Sequence, residues 1–391
     1  MNKTLSSWPF YDQDEIDAAL RVLSSGKVNY WTGNEGKAFE NEFSSWVDVK
    51  HSISLANGTV ALELALNAID ICPGDEIIVT PRTFIASISS VINSGAIPVF
   101  ADVDKNTQNI TAETILDVMT NNTKAIVCVH LGGYPCEMDE IMSLANSYNL
   151  YVIEDCAQAH GATYKGRHVG SIGHIGAWSF CQDKIISTGG EGGMVTTNDE
   201  DLWQKMWSYK DHGKSWEKVH SRNHSSGFRW LHDSFGTNLR MTEMQAAIGR
   251  KQLKKMSLWN DLRSKNAIAI MNSCLKFPSL FRVPSSSKFN NHAWYRCYIF
   301  INNAELATDW SRDKIINEIN NKGVPCFSGS CSEVYLEKAF EKKAFKPKKR
   351  LESAKDLGDT SIAFPVHPTL QSSEIEFICS VIEEIATLAQ K

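Results

Sequence analysis

Seven short apolar runs, most rich in β-branched residues, mark the first half of the chain, at residues 52–55, 77–80, 97–103, 125–130, 150–155, 177–180 and 194–197. Between most of them, apolar positions recur at helical spacing, at 60–69, 84–92, 112–119, 138–148 and 200–209. Runs such as Ala125-Ile126-Val127-Cys128-Val129 are continuously apolar, the signature of strands covered on both faces. The pattern predicts an α/β fold around a central, mostly parallel, seven-stranded sheet. Residues 210–234 then turn polar, with His212, Gly213, Ser221, Ser225, Ser226 and Gly227, and read as an exposed excursion or lid. A long helical stretch is expected from 242 to about 275, a strand at 295–301 and helices at 311–320 and 372–390. The basic run 342–350 reads as solvated surface. The change of pattern divides the chain into a large domain, 1–255, and a smaller α+β domain, 256–391.

Composition narrows the function classes. The 391 residues are 42% hydrophobic and 22% charged, a globular balance rather than a disordered one. The net charge of −5 leaves no broad basic footprint for nucleic acid or for an anionic membrane. Residues 1–11 lack the apolar core of a secretory signal, and no run of about 18 apolar residues is long enough to span a bilayer. Ten cysteines are scattered without a Cys-x-x-Cys pair, which reads as reduced thiols in a cytoplasmic protein. Cys326 and Cys331 are badly spaced for zinc and lack a His pair, so no metal is expected.

Three segments carry candidate chemistry. Ala56-Asn57-Gly58-Thr59 lies between a strand and a helix, where free amides, a hydroxyl and the helix dipole suit a phosphate. The same residues also make an ordinary Asn-Gly turn with Thr59 as N-cap. Asp155 ends a parallel strand, at the edge where such sheets take ligands. There it serves a protonated ring nitrogen, a metal or a local cap. Lys184 follows an apolar strand and precedes Gly189, Gly190, Gly192 and Gly193. In an apolar pocket its pKa is expected to fall, giving an imine-forming nucleophile; outside one it is a surface lysine before a Gly-rich turn. No Walker A loop, G-x-G-x-x-G, H-E-x-x-H, G-x-S-x-G or kinase set is present where its chemistry would need it.

Together with further segments, these form an ordered set. It comprises Gly33-Asn34-Glu35-Gly36, Asn57-Gly58-Thr59-Val60-Ala61-Leu62, Pro73-Gly74-Asp75-Glu76-Ile77-Ile78 and Thr83-Phe84-Ile85-Ala86-Ser87. It continues with Ile153-Glu154-Asp155-Cys156-Ala157-Gln158-Ala159, Ser179-Phe180-x-x-x-Lys184, Gly190-Glu191-Gly192-Gly193 and Gly236-Thr237-Asn238-Leu239-Arg240-Met241-Thr242-Glu243. The set resembles the DegT/DnrJ/EryC1/StrS family of pyridoxal-phosphate-dependent nucleotide-sugar aminotransferases, from about residue 7 to 249 with a weaker tail to 367. The resemblance implies a fold-type-I transferase, as in aspartate aminotransferase, and a homodimer with active sites at the subunit interface. Lys184 matches the Schiff-base lysine, Asp155 the partner of the pyridine nitrogen, and Gln158 the residue near the ring and its phenolic oxygen. Phe84 matches the aromatic stacked on the ring. Gly58, Thr59 and Ser179 match phosphate ligands, and Asn238 the residue reaching the phosphate of the partner's cofactor. Departures from the family pattern are Thr237 for a common Tyr, Cys156 for Ala, and Cys136-Glu137; Gln182-Asp183 precedes the lysine at a variable place.

The implied reaction is transamination. Lys184 holds pyridoxal phosphate, L-glutamate leaves its amino group as pyridoxamine phosphate, and a nucleotide-linked keto sugar receives it. The implied acceptor is C4 of a dTDP-, UDP- or GDP-4-keto-6-deoxyhexose, feeding O-antigen, lipopolysaccharide or another surface glycan. A 3-keto isomer is the alternative. Arg229, Arg240 and Lys165 are candidate cations for the diphosphate. Related dehydratases carry His in place of the lysine, so Lys184 argues against deoxygenation. Related regulators need an N-terminal winged helix, for which the pattern leaves no room.

Overall fold

The computed structural model describes residues 5–221, 227–285, 289–341 and 345–391. The seven expected strands join one sheet: β1 (His51–Leu55), β2 (Glu76–Val79), β3 (Ile97–Phe100), β4 (Thr123–Val129), β5 (Tyr151–Asp155), β6 (Ile175–Ser179) and β7 (Gly193–Thr197). Their order is β1-β7-β6-β5-β4-β2-β3. From β6 to β3 each neighbouring pair is parallel, and β7 is antiparallel to both β6 and β1. The reversal follows from the connection. No helix separates β6 from β7, so the chain makes no crossover and returns beside itself.

Alternate residues feed two helical layers. Ile77, Val79, Ala125, Val127 and Ile153 pack with Ala61, Leu64 and Ala65 of helix Gly58–Ala68. Ile78, Ile126, Cys128 and Val152 pack with Ile141 and Ala145 of helix Met138–Tyr148. Each fully buried aliphatic side chain contributes about 1.5–3 kcal/mol, and covering both faces is why the strands read as unbroken apolar runs.

A second sheet is antiparallel: β8 (Phe281–Arg282), β9 (Cys297–Ile301) and β10 (Ser361–Phe364). One face packs Ile299, Ile301, Ile362 and Phe364 on the helices Met256–Cys274, Arg312–Asn321 and Ser372–Ala389. The other turns Tyr298, Phe300 and Ala363 toward Ile126, Cys128 and Met138, fusing the two sheets through one core. The connection between β9 and β10 sends Val334, Tyr335 and Phe340 into the first core. A small hairpin, Thr163–Tyr164 with Arg167–His168, is extended by Asn290–Asn291.

Several expectations are revised. Two N-terminal helices, Gln13–Ser25 and Glu35–Val47, escape the pattern reading, as do β8, β10 and helix Glu352–Thr360. The long stretch from 242 is two helices, Glu243–Leu253 and Met256–Cys274, with the expected domain start at 256 falling on the second. At the break, Lys255 Nζ reaches Asp12, Asp14 and Glu15 at 2.7, 2.8 and 2.8 Å, tying the first helix to the junction. The polar excursion is exposed over much of its described length, as expected, at residues 227–230 and 232–234 among others, but its base is tied back to the body. Lys214 bridges His232, Asp211 bridges Asn238, Lys210 is buried, and Trp216 packs on Trp203 and Trp207. Ser225 and Ser226 of the excursion and residues 342–344 of the basic run lie outside the described residues. Lys346, Lys348, Lys349 and Arg350 are exposed, with Arg350 paired to Glu333. Among the described residues, no helix is long and apolar enough to cross a membrane.

Candidate active site

The carboxyl ends of β4, β5 and β6 lie side by side, with Val129 paired to Asp155 and Asp155 to Ala177. Above them a cavity of about 1070 Å³ opens between the two sheets. Gly58, Thr59, Phe84, Asp155, Gln158, Ser179 and Lys184 all line it, so seven of the eight predicted site residues meet there.

The first wall is a helix start. Asn57 Oδ1 accepts the Val60 N–H at 3.0 Å and caps helix Gly58–Ala68. Thr59, read as a possible N-cap, instead lies inside the helix. The amides of Gly58 and Thr59 belong to the first turn, which has no intrahelical partners, and both residues open onto the cavity. Gly58 lies so close to Ser179 that a Cβ would stand 2.5 Å from the serine Cβ. The missing side chain therefore brings the helix amides beside the Ser179 hydroxyl. That oxygen accepts a long bond from Cys181 N–H, 3.4 Å, and keeps its own proton to donate. Two amides, two hydroxyls and the positive end of a helix make an anion cradle.

Asp155 is 6% exposed. Its Oδ2 accepts from Ser87 Oγ at 2.8 Å and its Oδ1 from Ala157 N–H at 3.1 Å. Burial raises its pKa, opposed by these hydrogen bonds and by Lys184. A buried carboxylate with that bias gains from a cation placed against it. Behind it, His130 Nδ1 accepts from Cys136 N–H at 3.0 Å, which puts the ring proton on Nε2, 3.0 Å from Glu154. Glu154 also accepts from Gly170, Ile172 and Gly173 N–H. His130, Glu154 and Cys156 cluster closely enough for a metal, but these bonds already use the histidine and the carboxylate. Gln158 Oε1 accepts from Gly132 N–H at 2.7 Å, which fixes its amide orientation and leaves the NH₂ as the donor. Phe84 stays 67% exposed, its ring uncovered at the cavity edge.

Lys184 departs from expectation in its electrostatics. Its main chain is fixed, the N–H donating to Cys181 O at 3.0 Å and the carbonyl accepting from Trp8 Nε1 at 2.9 Å. Nζ lies 3.7 Å from Asp183 Oδ1 and 4.9 Å from the centre of the Tyr295 ring. Burial pushes the lysine pKa down, as expected, but Tyr295, Asp183 and Asp155 outweigh it and the pKa is raised. The lysine is held charged rather than neutral.

Asn238 stands apart. It is exposed, its main chain bridges Asp211, and it does not line the cavity. The three suggested diphosphate cations are engaged elsewhere: Arg240 with Asp211 at 2.8 Å, Lys165 with Asp139 at 2.8 Å, and Arg229 with the Lys218 and Val219 carbonyls. Besides Lys184, the cation that lines the cavity among the described residues is Arg296, 4.9 Å from the Tyr295 ring and 5.5 Å from that of Phe327. Tyr295, Arg296, Tyr298 and Phe327 form the second wall, which sequence reasoning missed. The available signal was the polar Tyr295-Arg296 pair at the start of an apolar strand. Cys156 and Cys136 are buried packing residues, Glu137 precedes helix Met138–Tyr148, and Thr237 N–H donates to Tyr209 O.

The donor set fits pyridoxal phosphate: a cradle for a phosphate, a buried carboxylate for a ring nitrogen and an amine for an aldehyde carbon, all facing one cavity. Comparison with known proteins agrees. The model of the DegT/DnrJ/EryC1/StrS aminotransferase family matches residues 9–383. The chain is 37% identical over 355 residues to the GDP-perosamine synthase of Escherichia coli O157:H7, covering 90% of each chain. It is 35% identical over 371 residues to the UDP-N-acetyl-3-dehydro-alpha-D-glucosamine 3-aminotransferase of Acidithiobacillus ferrooxidans, covering 95% of this chain and 93% of that one. A solved aminotransferase from Psychrobacter cryohalolentis superposes with a TM-score of 0.97 at 59% identity, covering 98% and 99% of the two chains. The chain thus belongs to the DegT/DnrJ/EryC1/StrS aminotransferase family, as a fold-type-I, pyridoxal-phosphate-dependent sugar aminotransferase.

Proposed function

We propose that the enzyme transfers the amino group of L-glutamate to C4 of a nucleoside-diphosphate-linked 4-keto-6-deoxyhexose, with Lys184 as covalent anchor and proton carrier. The observation that carries this reading is the meeting of Lys184, Asp155 and the Gly58–Thr59–Ser179 cradle on one large cavity. At about 1070 Å³ it has room for a sugar nucleotide beside the cofactor. Bound pyridoxal phosphate supplies an electron sink for charge developing at the carbon that loses a proton. The chain's residues do the rest. Asp155 holds the ring nitrogen, Gln158 NH₂ donates to the ring's phenolic oxygen, and the cradle fixes the phosphate. Lys184 Nζ, released from its covalent bond as the neutral amine, takes the proton from the donor α-carbon and, as the ammonium, later delivers one to the sugar carbon. Arg296 is the cavity cation suited to a substrate phosphate or carboxylate. The lysine itself argues against the dehydratase reading.

A 3-keto acceptor is the second reading, favoured by the likeness to a 3-aminotransferase of a UDP-linked sugar. One experiment separates the two. Glutamate should remove the yellow absorbance of the loaded enzyme, and dTDP-, UDP- and GDP-linked 4-keto- and 3-keto-6-deoxy sugars are then offered singly. Recovery with a 4-keto sugar supports the proposal; recovery only with a 3-keto sugar replaces it. If glutamate leaves the spectrum unchanged, the donor assignment falls.

We further propose a cytoplasmic homodimer whose product enters O-antigen, lipopolysaccharide or another surface glycan. Asn238 supports the dimer, being exposed and not among the residues that line its own cavity, so that it can meet the partner's cofactor phosphate. The ten free cysteines suit a reducing compartment. Sedimentation equilibrium should give twice the chain mass; a monomer carrying full cofactor would overturn the dimer.

A further inference from the structure

We propose that Asp183 and Tyr295 form a positioning pair that receives Lys184 when, free of its covalent bond, it has taken up a proton and stands as the ammonium. The inference rests on Lys184 being the cofactor lysine and adds where its amine stands between bond-making steps. Asp183 presents two oxygens with separate duties. The Tyr295 hydroxyl donates to Oδ2, and Oδ1 faces Lys184 Nζ at 3.7 Å. The Tyr295 ring lies under the same ammonium at 4.9 Å, a distance at which a cation is attracted to the ring face. Phenol and carboxylate thus hold one another and together form a socket for one cation.

The Tyr295 side of the socket is held in place, while the Asp183 side chain is half exposed. Tyr295 is 7% exposed, and its N–H donates to Gly132 O at 2.9 Å. Ala293 N–H donates to Gly133 O at 2.9 Å. Gly132 also donates its own N–H to Gln158, so the two cavity walls are tied at one residue. On the lysine side, the Trp8 and Cys181 hydrogen bonds fix the main chain, leaving the four-carbon side chain as the moving part. A flexible amine that must reach a substrate carbon and return needs a defined resting place, because an error of about 1 Å in the placement of a reacting group costs about 10²-fold. Other charged and titratable groups acting on the lysine are Asp155 and Cys181; Arg296 lies 4.9 Å from the Tyr295 ring, and buried His160 is near enough to feel the lysine's charge.

The test reads the lysine directly in cofactor-free enzyme. Formaldehyde with cyanoborohydride labels neutral amines, and peptide mass spectrometry gives the rate at Lys184 as a function of pH. Asp183→Asn removes the anion that favours the ammonium, so the midpoint of the Lys184 profile should fall by about one pH unit. Asp183→Glu should restore most of it. Tyr295→Phe should shift the midpoint less, since the carboxylate remains, yet lower kcat of the reloaded enzyme about tenfold with little change in KM. A merely structural role would change melting temperature and leave the midpoint where it is. An unchanged midpoint in folded Asp183→Asn would overturn the pair. If Lys184 is not the cofactor lysine, Lys184→Ala would instead keep a cofactor bond that borohydride reduction fixes to the chain, so the two failures are distinguishable.

Discussion

Lys184→Ala should lower kcat by about 10⁴-fold, the upper end of what one positioned proton-transfer group contributes, and should abolish the absorbance band of the lysine-bound cofactor. The variant should nevertheless bind pyridoxamine phosphate. None of the contacts expected for that ligand runs through the lysine. The phosphate cradle is built from Gly58, Thr59 and Ser179, the carboxylate of Asp155 is held by Ser87 and Ala157, and Gln158 is held by Gly132. Removing the side chain also removes one cation from beside Asp155, which favours a second cation, the protonated ring nitrogen, in its place. Pyridoxamine phosphate titrated into the cofactor-free variant, followed by protein fluorescence, checks this. A variant that folds but binds no pyridoxamine phosphate would mean that the cradle, Asp155 and Gln158 do not hold the ligand without the lysine. A variant that still turns over would remove Lys184 from the chemistry.

The first half of the site was legible in the sequence because each part is local. A strand-end aspartate, a Gly-Thr helix start and a lysine before a glycine-rich turn take their positions from the sheet edge on which they end. The strands were legible for a related reason: burial on both faces writes itself as an apolar run, as in β4. What stayed hidden depends on partners far along the chain. Tyr295 reaches Lys184 only because residues 293–295 hydrogen-bond to Gly132 and Gly133. Lys165 and Arg240 look available in the sequence, and only the fold reveals Asp139 and Asp211 beside them. The raised lysine pKa has the same origin, since Tyr295 and Asp155 act on it from separate elements. The break near 254 is held by Asp12, Asp14 and Glu15, some 240 residues away. Helix Gln13–Ser25 is different. Its Asp12–Glu15 capping box is written in the sequence and was there to be read.

Asp155→Asn should separate activity from stability, in opposite directions. Activity should fall on the order of 10³-fold, the scale on which a preorganised buried charge acts on a developing charge, because a neutral amide no longer favours a protonated ring nitrogen. The cofactor-free chain should become more stable. The substituted amide keeps the size of the side chain, and its oxygen can still accept from Ala157 N–H. Its NH₂ would meet Ser87 Oγ, which can accept if the hydroxyl turns its proton to Thr83 Oγ1, 2.9 Å away. One amide N–H thus finds an acceptor, and a buried charge awaiting its partner is gone. A gain of about 1 kcal/mol, near 2 °C for a chain of this length, is expected at neutral pH. The sign of the pH dependence follows from burial. Asp155 has a raised pKa in the folded chain, so folding favours its neutral form. That contribution is complete below the ordinary carboxyl value of about 4 and is lost as pH rises through the raised one. The amide never ionises, so the variant's advantage should be small in acid and grow toward neutrality. Melting curves of both cofactor-free proteins across that range decide it. A constant offset would show that Asp155 ionises no differently when folded, and a less stable variant at pH 7 would show that the carboxylate is already compensated within the chain.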